Sequence, residues 1–191
     1  MSSRLVIFCH PITCNELIRG NLFSDFRHYF KDEQALTRTI AIGLCKLYAL
    51  SFSLPVDSDD LYHKVTYRKG DSQNDKRAYK SAKGDRWVFF HDVFFAPDIL
   101  IRRDPGGTSD TLPIEVKLIN RKSPSQSIAT SIGQALIYST KHPQTIVFIG
   151  VLRSEQLGRY RFRISPNSRE RAFYDFLNAR GVRIIIREVG D

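Results

Sequence analysis

"FFAPDILIRRDPGGTSDTLPIEVKLI", residues Phe94–Ile119, reads as two apolar strands around a Gly-rich turn. Successive strand side chains point to opposite faces, so Ile114, Val116 and Leu118 go one way and Glu115 and Lys117 the other. On the partner strand Asp98 faces away from Ile99 and Ile101. Pro97 removes a ladder donor and predicts a bend or bulge that re-aims its neighbour. Closing this hairpin brings Asp98 beside Glu115 and Lys117. Two carboxylates at one place repel each other unless a cation sits between them. Hard divalent ions take such oxygens and leave their remaining positions to water and phosphate. A neighbouring ammonium then stabilises charge on a phosphoryl group or holds an attacking water. The ordinary alternative is a solvated strand face with a surface ion pair, worth about 1 kcal/mol or less.

Outward from the hairpin, the pattern predicts alternating helices and strands. A strand is expected at Arg4–Phe8. A helix is expected through Asp25–Leu50, where Leu36, Ile40, Leu44 and Leu47 recur at helical spacing, with Pro55 and Asp57–Asp60 ending it. After the hairpin, "SPSQSIATSIGQALIYSTKHP" reads as a helix closed by Pro143. Thr145–Leu152 reads as a fully buried strand, and Arg159–Ile164 as a half-buried one. "SRERAFYDFLNARG" is a helix with Ser168 as N-cap and Gly181 as its stop, and "VRIIIREV" is a closing strand. Helices alternating with strands in this order argue for a mixed sheet between helices.

The 191 residues suffice for one domain with a real core. The net charge of +9 speaks to partners, and polyphosphate is the first of them. The stretch Tyr62–Arg86 concentrates that charge. Lys64, Arg68, Lys69, Lys76, Arg77, Lys80, Lys83 and Arg86 stand against three Asp, with Tyr62, Tyr67 and Tyr79 interleaved. A solvated loop would show the same charges; the interleaved rings favour nucleic-acid contact. No apolar run is long enough to span a bilayer, and the first residues lack a signal peptide's apolar core. Three cysteines at irregular spacing fit a reducing compartment. A cytoplasmic or nucleoid-associated protein, neither secreted nor on a membrane, is therefore expected. Cys9, His10 and Cys14 lack a second pair at zinc-finger spacing and read as small buried side chains.

Pro97–Asp98 followed after sixteen residues by Glu115–Lys117 resembles the signature of the PD-(D/E)XK nuclease superfamily. "QALIY", with Gln134 and Tyr138 on one helical face, is similar to the Gln-xxx-Tyr that many members carry after the Lys strand. The resemblance covers about Asp25 to Leu152 in element order; it does not reach the basic insert or the N-terminal strand. It implies an α/β, restriction-endonuclease-like fold, a central mixed sheet flanked by helices with an αβββαβ core. The whole of residues 1–191 would be one nuclease domain with the basic insert at about 62–86.

The resemblance further implies that Asp98 and Glu115 hold one or two Mg²⁺ or Mn²⁺, with the Val116 carbonyl completing the set. Lys117 would orient or activate the water. A Glu on the preceding helix would assist the metal shell; Glu33 is the candidate, with Asp32 and Glu16 competing. Gln134 and Tyr138 would position the strand near the scissile phosphate. His91 and Asp92 either touch the metal's water shell or form a surface pair, the latter being the commoner arrangement. The expectation is a metal-dependent nuclease hydrolysing DNA, of restriction, repair or defence type. A homodimer would follow if both strands are cut together. Its rivals are a non-catalytic nucleic-acid-binding protein on the same fold and a nuclease acting on RNA.

Overall fold

The computed structural model of the chain describes residues 30, 32–52, 65–67, 88–102, 111–119, 124–152 and 168–189. In chain order these form helix α1 (Glu33–Phe52), strands β1 (Val65–Tyr67), β2 (Val88–Phe90), β3 (Val93–Phe95), β4 (Ile99–Arg102) and β5 (Thr111–Ile119), helix α2 (Pro124–Tyr138), strand β6 (Thr145–Leu152), helix α3 (Ser168–Asn178) and strand β7 (Val182–Val189). Five strands make one sheet in the order β1-β4-β5-β6-β7. β1, β4 and β5 pair antiparallel, whereas β5, β6 and β7 pair parallel. The architecture is α/β, a mixed sheet flanked by helices.

Parallel strands covered on both faces read as near-continuous apolar runs, and β6, "TIVFIGVL", is one. Its even positions Ile146 and Phe148 join Leu36, Ile40 and Leu44 of α1, Ile99 and Ile101 of β4, and Leu112, Ile114 and Val116 of β5. Its odd positions Val147, Ile149 and Val151 join Ala135 of α2, Leu177 of α3 and Val182 of β7. Two cores thus lie on opposite faces of one sheet. Each fully buried Leu or Ile contributes about 1.5–3 kcal/mol. Gly150 lets α1 approach closely, since a Cβ there would stand 2.7 Å from the Leu36 Cδ2.

Helix α1 begins eight residues later than the expected start at Asp25. The Asp32 Oδ1 accepts from the Ala35 N–H at 2.8 Å, the bond of an N-cap side chain to the third helical residue. Buried Phe30 lies ahead of the cap, outside the helix. At the other end the helix runs to Phe52, past the expected Leu50. Helix α2 ends at Tyr138, and a turn through Lys141 separates it from Pro143. Helix α3 starts at Ser168 itself. Phe94 and Phe95 are not in the Asp98–Lys117 hairpin; they belong to a separate β2–β3 ribbon that turns at His91–Asp92. The expected strands at Arg4–Phe8 and Arg159–Ile164, and the turn at Gly106–Gly107, lie outside the described residues. Among the described residues no helix is long and apolar enough to cross a membrane.

Gly181 closes the turn from α3 into β7. Its φ of 72° is left-handed, and a Cβ would stand 2.2 Å from the Pro143 carbonyl oxygen. Its N–H donates to the Asn178 carbonyl at 2.9 Å, and its own carbonyl accepts from the Thr145 N–H at 2.8 Å. Neither backbone partner can withdraw without breaking the β6–β7 entry. Gly181→Ala is expected to destabilise the fold by roughly 2–4 kcal/mol, read as a lowered midpoint in urea unfolding at unchanged m value.

Candidate active site

The β4–β5 register pairs Ile99 with Ile114, so one further step places Asp98 opposite Glu115. Asp98 lies just before the ladder, where buried Pro97 supplies no donor. Its Oδ2 accepts from the Val116 N–H at 2.9 Å. That bond ties the carboxylate to the backbone of the strand that carries Glu115 and Lys117.

The alternation read from the sequence holds. Ile114 and Val116 face α1, while Glu115 points to the α2 side of the sheet. That side is not solvent. Glu115 is 2% exposed, because α2 lies across it and the Tyr138 hydroxyl donates to its Oε2 at 3.2 Å. Lys117 Nζ stands 3.3 Å from the Glu115 Oε1 and 3.2 Å from the Glu33 Oε1. Of the three acidic residues competing for the helix position, Glu33 is therefore the one brought to the site. Asp32 is occupied as the cap that fixes where Glu33 begins the helix, and Glu16 lies outside the described residues. A capping residue directly before a first-turn Glu was the signal that separates the two.

Three carboxylates surround one ammonium, an excess of two negative charges if all are ionised. The Glu115 carboxyl is pushed up to about 8 by burial and then by Asp98, against the smaller opposing pulls of Lys117 and Tyr138. Burial works to lower the Lys117 ammonium, but Glu115, Glu33 and Asp98 outweigh it and hold it above the usual range. At neutral pH the cluster thus relieves part of its repulsion by keeping a proton on Glu115.

Donor chemistry fits a hard dication with few protein ligands. Among the described residues no three His, Cys, Asp or Glu side chains group closely enough to hold one ion. Glu33 contacts Lys117, and Asp98 and Glu115 are the two carboxylates that the β4–β5 register sets opposite each other. Two carboxylates suffice for Mg²⁺, which keeps most of its shell for water and phosphate.

Gln134 lies one turn before Tyr138 on α2, and its Oε1 is buried with no hydrogen-bond partner among the described residues. Ser131 on the same face is satisfied by the Ile128 carbonyl at 2.9 Å. His91 and Asp92 are exposed at the ribbon turn, with φ of 46° and 60°; three strand residues and Ala96–Pro97 separate them from Asp98. Lys64, Arg68, Lys69, Lys76, Arg77, Lys80, Lys83 and Arg86 lie outside the described residues, as do Cys9, His10 and Cys14.

No protein-family model matches the chain, and neither a curated protein nor a solved structure shows significant similarity to it.

The raised Glu115 carboxyl makes stability depend on pH. Between its ordinary value of 4.5 and about 8 the folded chain holds a proton that the unfolded chain releases. Its stabilising contribution is complete below 4.5 and is lost as pH rises through 8. In EDTA, urea-unfolding stability is expected to fall across that window. Glu115→Gln should flatten that part of the profile, and an unchanged slope in the variant would show the titration to lie elsewhere.

Proposed function

We propose that this chain is a metal-dependent phosphodiesterase acting on DNA, a nuclease of the PD-(D/E)XK type on a restriction-endonuclease-like fold. The observation that carries the reading is the convergence of Asp98, Glu115, Lys117 and Glu33. They come from the entry to β4, the middle of β5 and the first turn of α1; Lys117 links Glu33 and Glu115 at 3.2–3.3 Å, and the Val116 N–H ties Asp98 to the same strand. With the separate β2–β3 ribbon set aside, the order of α1, β1, β4, β5, α2 and β6 also supports it, being helix, three sheet strands, helix, strand. A solvated strand face would not bury its carboxylate to 2% beside a second one.

Asp98 and Glu115 would hold Mg²⁺ or Mn²⁺, with the Val116 carbonyl as the third donor that the resemblance implies. Bound there, the ion would supply Lewis acidity toward the phosphate and a more acidic water. Lys117 is the side chain free of that duty. Its ammonium, paired with Glu33, orients the attacking water and stabilises charge on the phosphoryl oxygens. Glu33 holds Lys117 in place from the helix start. Tyr138 restrains Glu115 from the α2 side, leaving the other carboxylate oxygen to Lys117 or to a cation. Gln134 offers a carbonyl that is unpaired among the described residues, on the same helical face, suited to a donor on the substrate or its water.

An interaction made chiefly in the transition state changes rate more than ground-state affinity. Lys117→Ala is expected to abolish cleavage of plasmid and linear DNA in Mg²⁺ while leaving DNA affinity within about threefold. EDTA should do the same to the wild type. In calorimetric titration, Mg²⁺ or Mn²⁺ should bind the wild type, with Asp98→Asn and Glu115→Gln each losing most of that affinity. Full cleavage by Lys117→Ala, or undiminished metal affinity in both carboxylate variants, would place the chemistry elsewhere. Parallel assays on single strands and RNA decide which polymer is preferred.

A further inference from the structure

The ribbon β2–β3 is the most exposed apolar feature among the described residues. Val88 at its root is buried, whereas Phe89, Phe90, Val93 and Phe94 are 53–61% exposed. The register pairs Phe89 with Phe94 and Phe90 with Val93. Cross-strand partners share a face and neighbours alternate, so one face carries Phe89 and Phe94 and the other Phe90 and Val93. The tip is therefore apolar on both sides. A strand covered on one face would expose only the other. The rings are already ordered: Phe89 and Phe94 meet edge-to-face with centroids 4.4 Å apart, and Phe90 meets His91 at 4.6 Å. His91 and Asp92 both take left-handed φ, the requirement of a tight type I′ turn, at positions where glycine would be cheaper.

Its placement is as telling as its composition. Only Ala96 and Pro97 separate Phe95 from Asp98, a span of roughly 10 Å at most, and buried Pro97 stiffens that link. The residues directly before the ribbon in sequence are the basic stretch with interleaved tyrosines, in a chain of net charge +9. A polyanion is thus the partner that this region attracts. A polyanion that also offers flat apolar faces is a nucleic acid whose bases are unstacked. Bases inside an intact duplex present only their edges, whereas unpaired bases stack on aromatic rings with little regard to sequence.

We infer that the β2–β3 ribbon is a base-stacking wedge, taking unpaired nucleotides beside the phosphate handled at Asp98 and Glu115. The preferred substrate class is then single-stranded, gapped or flapped DNA rather than blunt duplex. The inference rests on the nuclease reading for the neighbouring site, but the ribbon's own role is a binding role and is measured without cleavage.

The test is fluorescence anisotropy in EDTA, with a short single-stranded oligodeoxynucleotide and the blunt duplex of the same sequence. The wild type should bind the single strand more tightly. Phe90→Ala with Phe94→Ala should weaken single-strand binding by about 5- to 150-fold and duplex binding by less than twofold. Phe90→Trp with Phe94→Trp should retain affinity, and Phe90→Leu with Phe94→Leu should lose it, since Leu keeps apolar area but no ring. Single-strand affinity unchanged in the Ala or Leu pair, equal losses on both probes, or a wild type that binds neither would overturn the wedge. So would sedimentation showing that the Ala pair turns a dimer into a monomer while single-strand affinity persists, which assigns the ribbon to a second copy. A wedge that survives while Lys117→Ala cleaves normally would leave the stacking surface standing and remove hydrolysis from the Asp98–Lys117 site. The reverse pattern would do the opposite.

Discussion

Burial of the Glu115 carboxyl under α2 is the constraint around which the neighbouring elements are arranged. An isolated carboxylate in an apolar interior costs several kcal/mol, and the fold offsets that cost only in part. Lys117 and Tyr138 each contact one oxygen of Glu115, but the register of the hairpin sets Asp98, of the same sign, opposite. A sheet selected for stability alone would place an apolar residue at position 115, as it does at Ile114 and Val116. Strongly perturbed carboxyl groups with a specific charged neighbour cluster where chemistry is done. The conflict between local stability and the observed side chains is the physical basis for reading this corner of the sheet as a site.

Each member of the cluster is positioned by something unrelated to charge. Asp98 is placed by the antiparallel ladder that starts at Ile99 and by a proline that keeps the preceding residue out of it. Glu33 is placed by the Asp32 cap, which sets the first residue of α1, and by Leu36, Ile40 and Leu44, which seat the helix on the sheet. Tyr138 is placed because Ala135, three residues earlier, packs on β6 and turns that face of α2 toward β5. The polar arrangement is therefore positioned by the two apolar cores on either face of the sheet.

Where one physical signal dominated, the sequence was legible. β6 and β7 are continuous apolar or alternating runs of eight residues, and their bounds, Thr145–Leu152 and Val182–Val189, are those that the pattern predicts. The faces of β5 follow from period-two alternation, and the meeting of Asp98 with Glu115 follows from folding a hairpin. Less legible was whatever depended on a second element. Pattern alone could not show that the Glu115 face is covered, because α2 covers it from beyond the strand. The helix start was misjudged because helical periodicity continues weakly ahead of Asp32, while a cap is a single hydrogen bond. The ribbon escaped notice because "VFFHDVFF" lacks the glycine or asparagine that marks a two-residue turn, His91 and Asp92 taking the left-handed conformation instead.

Charge then links the buried cluster to the rest of the chain. Asp98, Glu115 and Glu33 outnumber Lys117, so the bare site carries the wrong sign for a phosphodiester, and like charges a few ångströms apart in a partly desolvated corner repel strongly. For the proposed nuclease, a divalent cation would serve approach as well as chemistry, since it would reverse the local sign where the phosphate must lie. It would also draw the proton from Glu115, because a dication beside a carboxyl favours the ionised form. The overall charge of +9 supplies attraction at longer range, where salt screens it. Stacking on Phe89, Phe90 and Phe94 would act at short range and without a charge requirement. On the proposed reading, an acidic cluster beside an aromatic ribbon in a basic chain would divide its labour: long-range charge would gather the polymer, rings would hold the bases, and the cation would admit the phosphate.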